Sequence, residues 1–435
     1  MVTNIIKLIF FIRGFVLNHL IIFFVFLFLF IPFIPRFESI DIIGPQWFIF
    51  TLLSFLFLLF FGIQSLKDNV YFSFLYKDKA LRLFIVFLFF SIISLFNATN
   101  ISLSIVELSR FFSVFISIYF FIFFLHKQGQ YLINIVLILI STHLFLELIF
   151  CYFPLLIEFL NTGSFNATVS QKDFAGIAGN KNIAASSIAI KIPVVIYLLI
   201  TNNNLIKKLL FSFLLFFAFI TLLFLNTRSV FVSTSFVLLL VSLFFIFNFR
   251  KHYLSFLIVC IALTAAFYLN ISSRISSSQN SLDRIKSIDV SYDGSSGRFE
   301  LWSNALDFIS KNPFFGCGIG NWKIESLPYW KTMMTGYIVP YHAHNDFLEL
   351  TAEIGVLGGL IYFSFFLFIA YYILYFFKTW FNKDSLLFFI GLSILVYTID
   401  AFFNFPMERP LNQVPFVIFI SIVIYYYNFK TLSHD

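Results

Sequence analysis

The side chains in this sequence best suited to chemistry are two histidines, two glutamates and a few arginines. His342 and His344 sit in Tyr341-His-Ala-His-Asn-Asp-Phe-Leu-Glu-Leu-Thr-Ala-Glu-Ile-Gly355. Histidine is the side chain best poised to take a proton near neutral pH. A neighbouring carboxylate orients it and stabilises its charge. Asn345, Glu349 and Glu353 recur every four residues, so on a helix they share one face. Asp346 followed by Glu349 reads as a helix N-cap with its reciprocal capping glutamate. His-x-His also suits a metal, but no third and fourth ligand stands near it, so no metal is expected.

A second set suits anions. Arg228 lies in Asn226-Thr-Arg-Ser229, a polar turn between two strongly apolar runs. A guanidinium there suits phosphate or pyrophosphate, because its planar fork donates bidentately. Arg298 opens a helical pattern that continues to Ile309 and ends before Asn312-Pro313. Gly316, Gly318 and Gly320 permit tight turns that aim backbone amides at an anion. No strand precedes them, so a dinucleotide site is not expected. Lys181, in Gly179-Asn-Lys-Asn-Ile-Ala184, offers a point charge to an anionic headgroup.

These residues must be positioned by a membrane-embedded scaffold. The chain has 435 residues, 60% hydrophobic, 22% aromatic and 11% charged, against about 25% charged in soluble domains. That excludes a cytoplasmic enzyme, a coiled coil, a disordered tail and a disulfide-rich secreted module. The net charge of +7 does not point to nucleic acid, because no basic cluster has interleaved surface aromatics. Cys151, Cys260 and Cys317 show no paired spacing. The first apolar run continues through Ile34 with no small-x-small site, so a cleavable leader is not expected.

The fold class is an all-α polytopic membrane protein. About twelve runs approach the 20 residues needed to cross a bilayer: 15–34, 46–66, 81–97, 104–125, 131–153, 183–200, 207–226, 229–249, 252–271, 346–377, 384–403 and 411–429. The organisation is therefore nine spans in 1–271, a polar loop with short helices in 272–345, and three spans in 346–435. With the N-terminus inside, 14 of the 28 Lys and Arg residues fall in short inner segments, as the positive-inside rule requires. Both termini are then cytoplasmic and the long loop is outside. Glu107 and Arg110, three apart, are expected to neutralise each other. Glu147 is placed near the outer end of the fifth span; Lys191, a third to halfway into the sixth from outside, is expected to snorkel or to pair with it. Asp400 is expected to cap or bond a neighbouring helix end. Every intramembrane charge thus lies toward the outer side, where chemistry would sit.

Taken in order, Gly-Asn-Lys-Asn, Thr-Arg-Ser, Gly-Arg-x-x-x-Trp, Pro-x-x-Gly-x-Gly-x-Gly and His-x-His-Asn-x-x-Leu-Glu-x-x-x-Glu-x-Gly resemble the bacterial O-antigen ligase / O-antigen polymerase superfamily. The resemblance covers roughly residues 165–410, and the motifs are specific as an ordered set, not singly. It implies a GT-C-type fold in the bacterial inner membrane, with the active site facing the periplasm. It implies transfer of a glycan from undecaprenyl pyrophosphate to an acceptor hydroxyl, without metal or cofactor. Lipid A–core is the expected acceptor; a growing glycan or a protein is the alternative. On that resemblance His344 is the base, and Arg228 and Arg298 grip the pyrophosphate. Lys181, His342, Asn345, Glu349 and Arg409 contact or orient substrate. Thr-Arg-Ser-Val stands where many relatives have Ser-Arg-Gly, which keeps the arginine but alters the turn. A lipid-linked glycan transporter would need polar groups near the midplane and paired halves. No repeat is visible in the sequence.

Overall fold

The computed structural model describes residues 17–163, 173–272, 297–330, 341–376 and 385–430. Within the polar loop expected at 272–345, the Ser-rich residues 273–281 and the Gly/Ser residues 293–296 lie outside them. Every regular element among the described residues is helical. The helices are α1 (Leu17–Leu29), α2 (Gly44–Lys67), α3 (Asn69–Lys77), α4 (Lys79–Ile93), α5 (Ile101–Gln128), α6 (Gln130–Thr162), α7 (Lys181–Thr201), α8 (Leu205–Leu225), α9 (Arg228–Phe247), α10 (Phe249–Ser272), α11 (Arg298–Lys311), α12 (Asp346–Tyr375), α13 (Leu386–Phe403) and α14 (Pro410–Tyr425). Eleven are long and apolar enough to cross a membrane, and the chain is a multi-pass membrane protein. The first expected run appears as the shorter α1; residues before 17 lie outside the described set.

Helices are the form such sequences must take, because lipid offers no partner to a backbone N–H or C=O. Side chains start several of them. Asp78 caps α4, Asn100 α5, Asn180 α7, Asn204 α8 and Asn345 α12, each accepting from orphan N–H groups of the first turn. The core forms around α7 and α14, which are the most buried spans. α7 packs against α6, α8, α13 and α14.

Two helices exceed a simple crossing. α6 has 33 residues, about 50 Å at 1.5 Å per residue, against a hydrocarbon core of about 30 Å. α12 is broken at Gly355, where φ is 80° and ψ 170°. Residues 356–375 after the break cover about 30 Å, a full crossing. The preceding turn, with Asp346, Glu349 and Glu353, is thereby set apart from the span.

The break exposes carbonyls that the glycine loop takes up. Cys317 N donates to Ala352 O at 3.0 Å, Gly318 N to Glu353 O at 2.9 Å, and Val356 N to Pro313 O at 2.8 Å. Ile319 N donates to Ser94 Oγ at 3.0 Å, and the Glu353 carboxylate accepts from the Trp322 amide at 3.1 Å. A Cβ on Gly316 would stand 2.3 Å from Ala352 O. The glycines are needed for backbone-to-backbone approach. This corrects the expectation of an anion cradle there, since the loop's amides are already spent.

The placement of Glu147 also differs from expectation. It stands near the middle of its helix, because α6 continues nine residues past the apolar run that marked its end. Lys191 stands halfway along α7, as expected. Lys191 Nζ lies 2.8 Å from Glu147 Oε1 and 2.6 Å from Ser187 Oγ. His143 Nδ1 lies 3.2 Å from the same Glu147 oxygen. The pairing is as expected, but intramembrane charge is not confined to one end.

Candidate functional site

The candidate residues collect at one end of the bundle, on helix termini. Lys181, Arg228 and Arg298 are the first residues of α7, α9 and α11. His342 and His344 precede α12, and Arg409 precedes α14. The expected helix at 299–309 is α11, extended to Arg298–Lys311.

Asn404, the residue after α13, ties the group together. Its Oδ1 accepts from Arg298 Nη2 at 3.1 Å. Its Nδ2 donates to Ser229 Oγ at 3.0 Å and to Asp400 Oδ1. The same side chain also faces the His344 ring and favours its charged form. One amide thus links the α9 turn that carries Arg228, the start of α11 and the histidine. Asp400 bonds the end of its own helix rather than that of a neighbour.

His344 has φ of 52°, a left-handed conformation that costs a non-glycine residue about 1 kcal/mol or more. Trp302 Nε1 donates to His344 O at 3.4 Å, and the Phe405 ring meets the imidazole edge-on at 5.0 Å. Its buried Nδ1 has no internal partner. Burial, then the positive charges of Arg298 and His342, lower its pKa to about 4. His344 is therefore neutral at physiological pH.

His342 has the opposite character. It stacks on Phe405 at 4.3 Å, and its Nδ1 lies 2.9 Å from Glu349 Oε1. Burial opposes its charge, but the Glu349 carboxylate and its hydrogen bond outweigh that and hold the pKa above the ordinary value. The other Glu349 oxygen accepts from Ala343 N at 2.8 Å. Glu349 therefore fixes the chain on both sides of the bend before His344. Arg409 lies over the same Phe405 ring at 5.3 Å, and its buried Nε lacks an internal partner.

Three expectations change in detail. The N-cap of α12 is Asn345, whose Oδ1 accepts from Phe347 N and Leu348 N, both at 3.1 Å. Asp346 instead accepts from Met407 N at 3.1 Å. The left-handed turn at His344 leaves Asn345 extended, the conformation a cap residue needs. Arg110 binds Glu107 at 2.9 Å as expected, and also Glu408 at 2.8 Å. Lys181 is half-buried at the edge of the group; Ile183, in the same first turn, shares a small cleft with Arg409.

Beside the site runs an apolar groove of about 1250 Å³ between α8, α9, α10 and α13, lined by residues that include Phe231, Leu263, Tyr268 and Phe403. Phe403 is adjacent to Asn404 and packs against Trp302 at 6.1 Å. Ser229 and Trp302 entered the sequence reasoning only as motif residues without a role, and Asn404 and Phe405 only as part of the turn Asn-Phe-Pro-x-Glu-Arg-Pro between the last two spans. Among the described residues, no group of three His, Cys, Asp or Glu is placed to hold a metal.

Residues 213–363 match the model of the O-antigen ligase family. The match runs from α8 into α12 and supports membership of the O-antigen ligase/polymerase superfamily, whose activity is of glycosyltransferase type. Arg228, Arg298, His342, His344 and Glu349 fall inside it; Lys181, Asn404 and Arg409 fall outside. No curated protein matches the chain.

Proposed function

We propose that this protein is an O-antigen ligase, moving a finished glycan from undecaprenyl pyrophosphate to a hydroxyl of lipid A–core. One observation carries the reading. Arg298 and His344 converge on Asn404, next to Phe403 at the end of the long apolar groove. A polyprenyl tail suits the groove, and its pyrophosphate then lies beside Arg298 and the Arg228 turn. The basic residues of the opposite end favour that end as cytoplasmic, which supports reading the site as periplasmic.

In the transfer, the acceptor oxygen bonds to the anomeric carbon of the glycan while the carbon–oxygen bond to pyrophosphate breaks. The electron pair leaves with undecaprenyl pyrophosphate, and the acceptor's proton passes to His344. Arg228 and Arg298 stabilise the charge growing on the leaving group. A base with pKa near 4 is weak. A bound pyrophosphate offsets the charge of Arg298 and raises that value, so His344 gains strength as the donor arrives. His342 and Arg409 orient the histidine turn through Phe405, and Glu349 through His342 and the Ala343 amide.

The test is the lipopolysaccharide profile of a deletion strain, with the lipid-linked glycan pool extracted in parallel. Bare core with accumulated full-length lipid-linked glycan is the expected result. Core bearing a single repeat unit identifies a polymerase instead. An unchanged profile removes lipopolysaccharide as the product and directs the search to glycoproteins.

A further inference from the structure

A second groove, of about 1030 Å³, lies between α6, the end of α7 and the first half of α8. It does not approach the candidate site. α8 starts at this groove and ends at Leu225, three residues before Arg228, so the groove opens in the half of the membrane away from His344.

Its walls are apolar in effect. The hydroxyls of Ser141 and Thr142 are turned onto their own helix backbone at Leu137 O and Ile138 O. The Tyr152 hydroxyl accepts from Thr221 Oγ1 at 3.1 Å and closes the inner end. The outer end is polar, with Asn134, Asn202 and Lys207. From Lys207 to Phe217, the α8 wall is about 15 Å long at 1.5 Å per residue. That is half of the roughly 30 Å hydrocarbon core, the depth of one leaflet.

Charge identifies the occupant. Lys207 and Lys208 begin α8, Arg250 and Lys251 begin the adjoining α10, and His252 feels both Lys208 and Lys251. No Asp or Glu occurs anywhere from Phe174 to Asn270. The groove thus ends in a cationic patch that nothing on these helices neutralises. A neutral lipid would gain nothing from it, and an anionic headgroup gains from each cation.

We propose that this groove is a binding site for an anionic phospholipid of the leaflet opposite the candidate site, one acyl chain lying along α8 and the phosphate at Lys207 and Lys208. The proposal does not depend on the transfer reaction.

The experiment uses the full-length protein in detergent and compares binding of phosphatidylglycerol with phosphatidylcholine of the same acyl chains by native mass spectrometry. Phosphatidylglycerol is expected to bind more tightly. Lys207→Gln with Lys208→Gln is expected to remove that preference, at about fivefold per lysine, the equivalent of ~1 kcal/mol each. Leu210→Trp, on the exposed groove wall, is expected to weaken both lipids. Unchanged melting of each variant in lipid-free detergent shows that the fold is intact, and Lys207→Arg keeps the preference. Equal binding of the two lipids by the unaltered protein, or a preference that survives the double substitution, overturns the proposal. Displacement of phosphatidylglycerol by undecaprenyl phosphate also overturns it, by assigning the groove to the donor.

Discussion

Two clusters of charge in this molecule behave oppositely. In the middle of the membrane, Lys191, Glu147 and Ser187 bond one another and His143 packs on Phe33, while Glu147 Oε2 and the His143 ring nitrogens make no hydrogen bond. These side chains are almost fully buried, and neither apolar groove is lined by them. At the bundle end, His342, His344, Arg298 and Arg409 are only half-buried. There, His344 holds a strained backbone, and His344 Nδ1 and Arg409 Nε have no internal partner. Fully enclosed groups hold helices together whether or not every atom is bonded, whereas half-buried groups at a groove mouth can meet a substrate. The mid-membrane pair therefore gives a transport reading no support, although its depth is what such a reading would ask for.

The sharpest way to break this contrast is to exchange the phenotypes. His344→Ala is expected to lower glycan transfer by about 10²-fold or more, the usual worth of a general base, with insertion and melting unchanged. His344→Asn, which tolerates the left-handed backbone, should be equally inactive. Normal transfer by either variant sinks the base assignment. Lys191→Met should do the reverse. It leaves Glu147 buried without its cation, a loss of about 3–5 kcal/mol, read as a lower melting temperature. Adding Glu147→Gln should restore most of it, and transfer per folded molecule should match the unaltered protein. A catalytic defect in the folded double variant would place the pair in the machinery after all.

A third test concerns the loop dock that supports the site end. Gly355→Ala puts a Cβ 2.2 Å from Phe314 O at a φ of 80°, so the glycine loop should release. Faster tryptic cleavage at Lys311 and Lys323 reports that release, with a parallel, smaller loss of transfer. Unchanged cleavage would mean that the dock yields without opening. The smallest expected effect is on pH dependence. His344 keeps its basic form down to about pH 4 in the free enzyme, which sets the acid limb. His342 is charged below its raised pKa and loses that charge as pH rises through it, which sets the alkaline limb. Glu349→Gln removes the group that raises it, so the alkaline limb should move to lower pH while the acid limb stays. An alkaline limb that does not move assigns it to another group.

Much of this architecture was legible because it is local. Apolar runs of about 20 residues gave the eleven long spans, and the helix at Arg298 announced itself by its periodicity. The His-x-His turn and its Glu349 partner are seven residues apart. Where local reading slipped, the cause was a neighbour in space. Asp346 yields the cap to Asn345 because Met407 N claims its carboxylate. The glycine run resembles an anion loop until the broken α12 supplies carbonyls for its amides.

The sequence alone determined that the chain lives in a membrane, where its helices run, and which histidine and arginines are candidates for chemistry. Hydrophobicity, periodicity and caps act within a few residues, so they are written in chain order. The tertiary structure decided which of those residues meet. Asn404 bonds Arg298 across 106 positions and Ser229 across 175, and Arg110 meets Glu408 across 298. No local pattern encodes such pairs; they follow from how α9, α11, α12 and α13 pack, which depends on the shapes of all their faces at once.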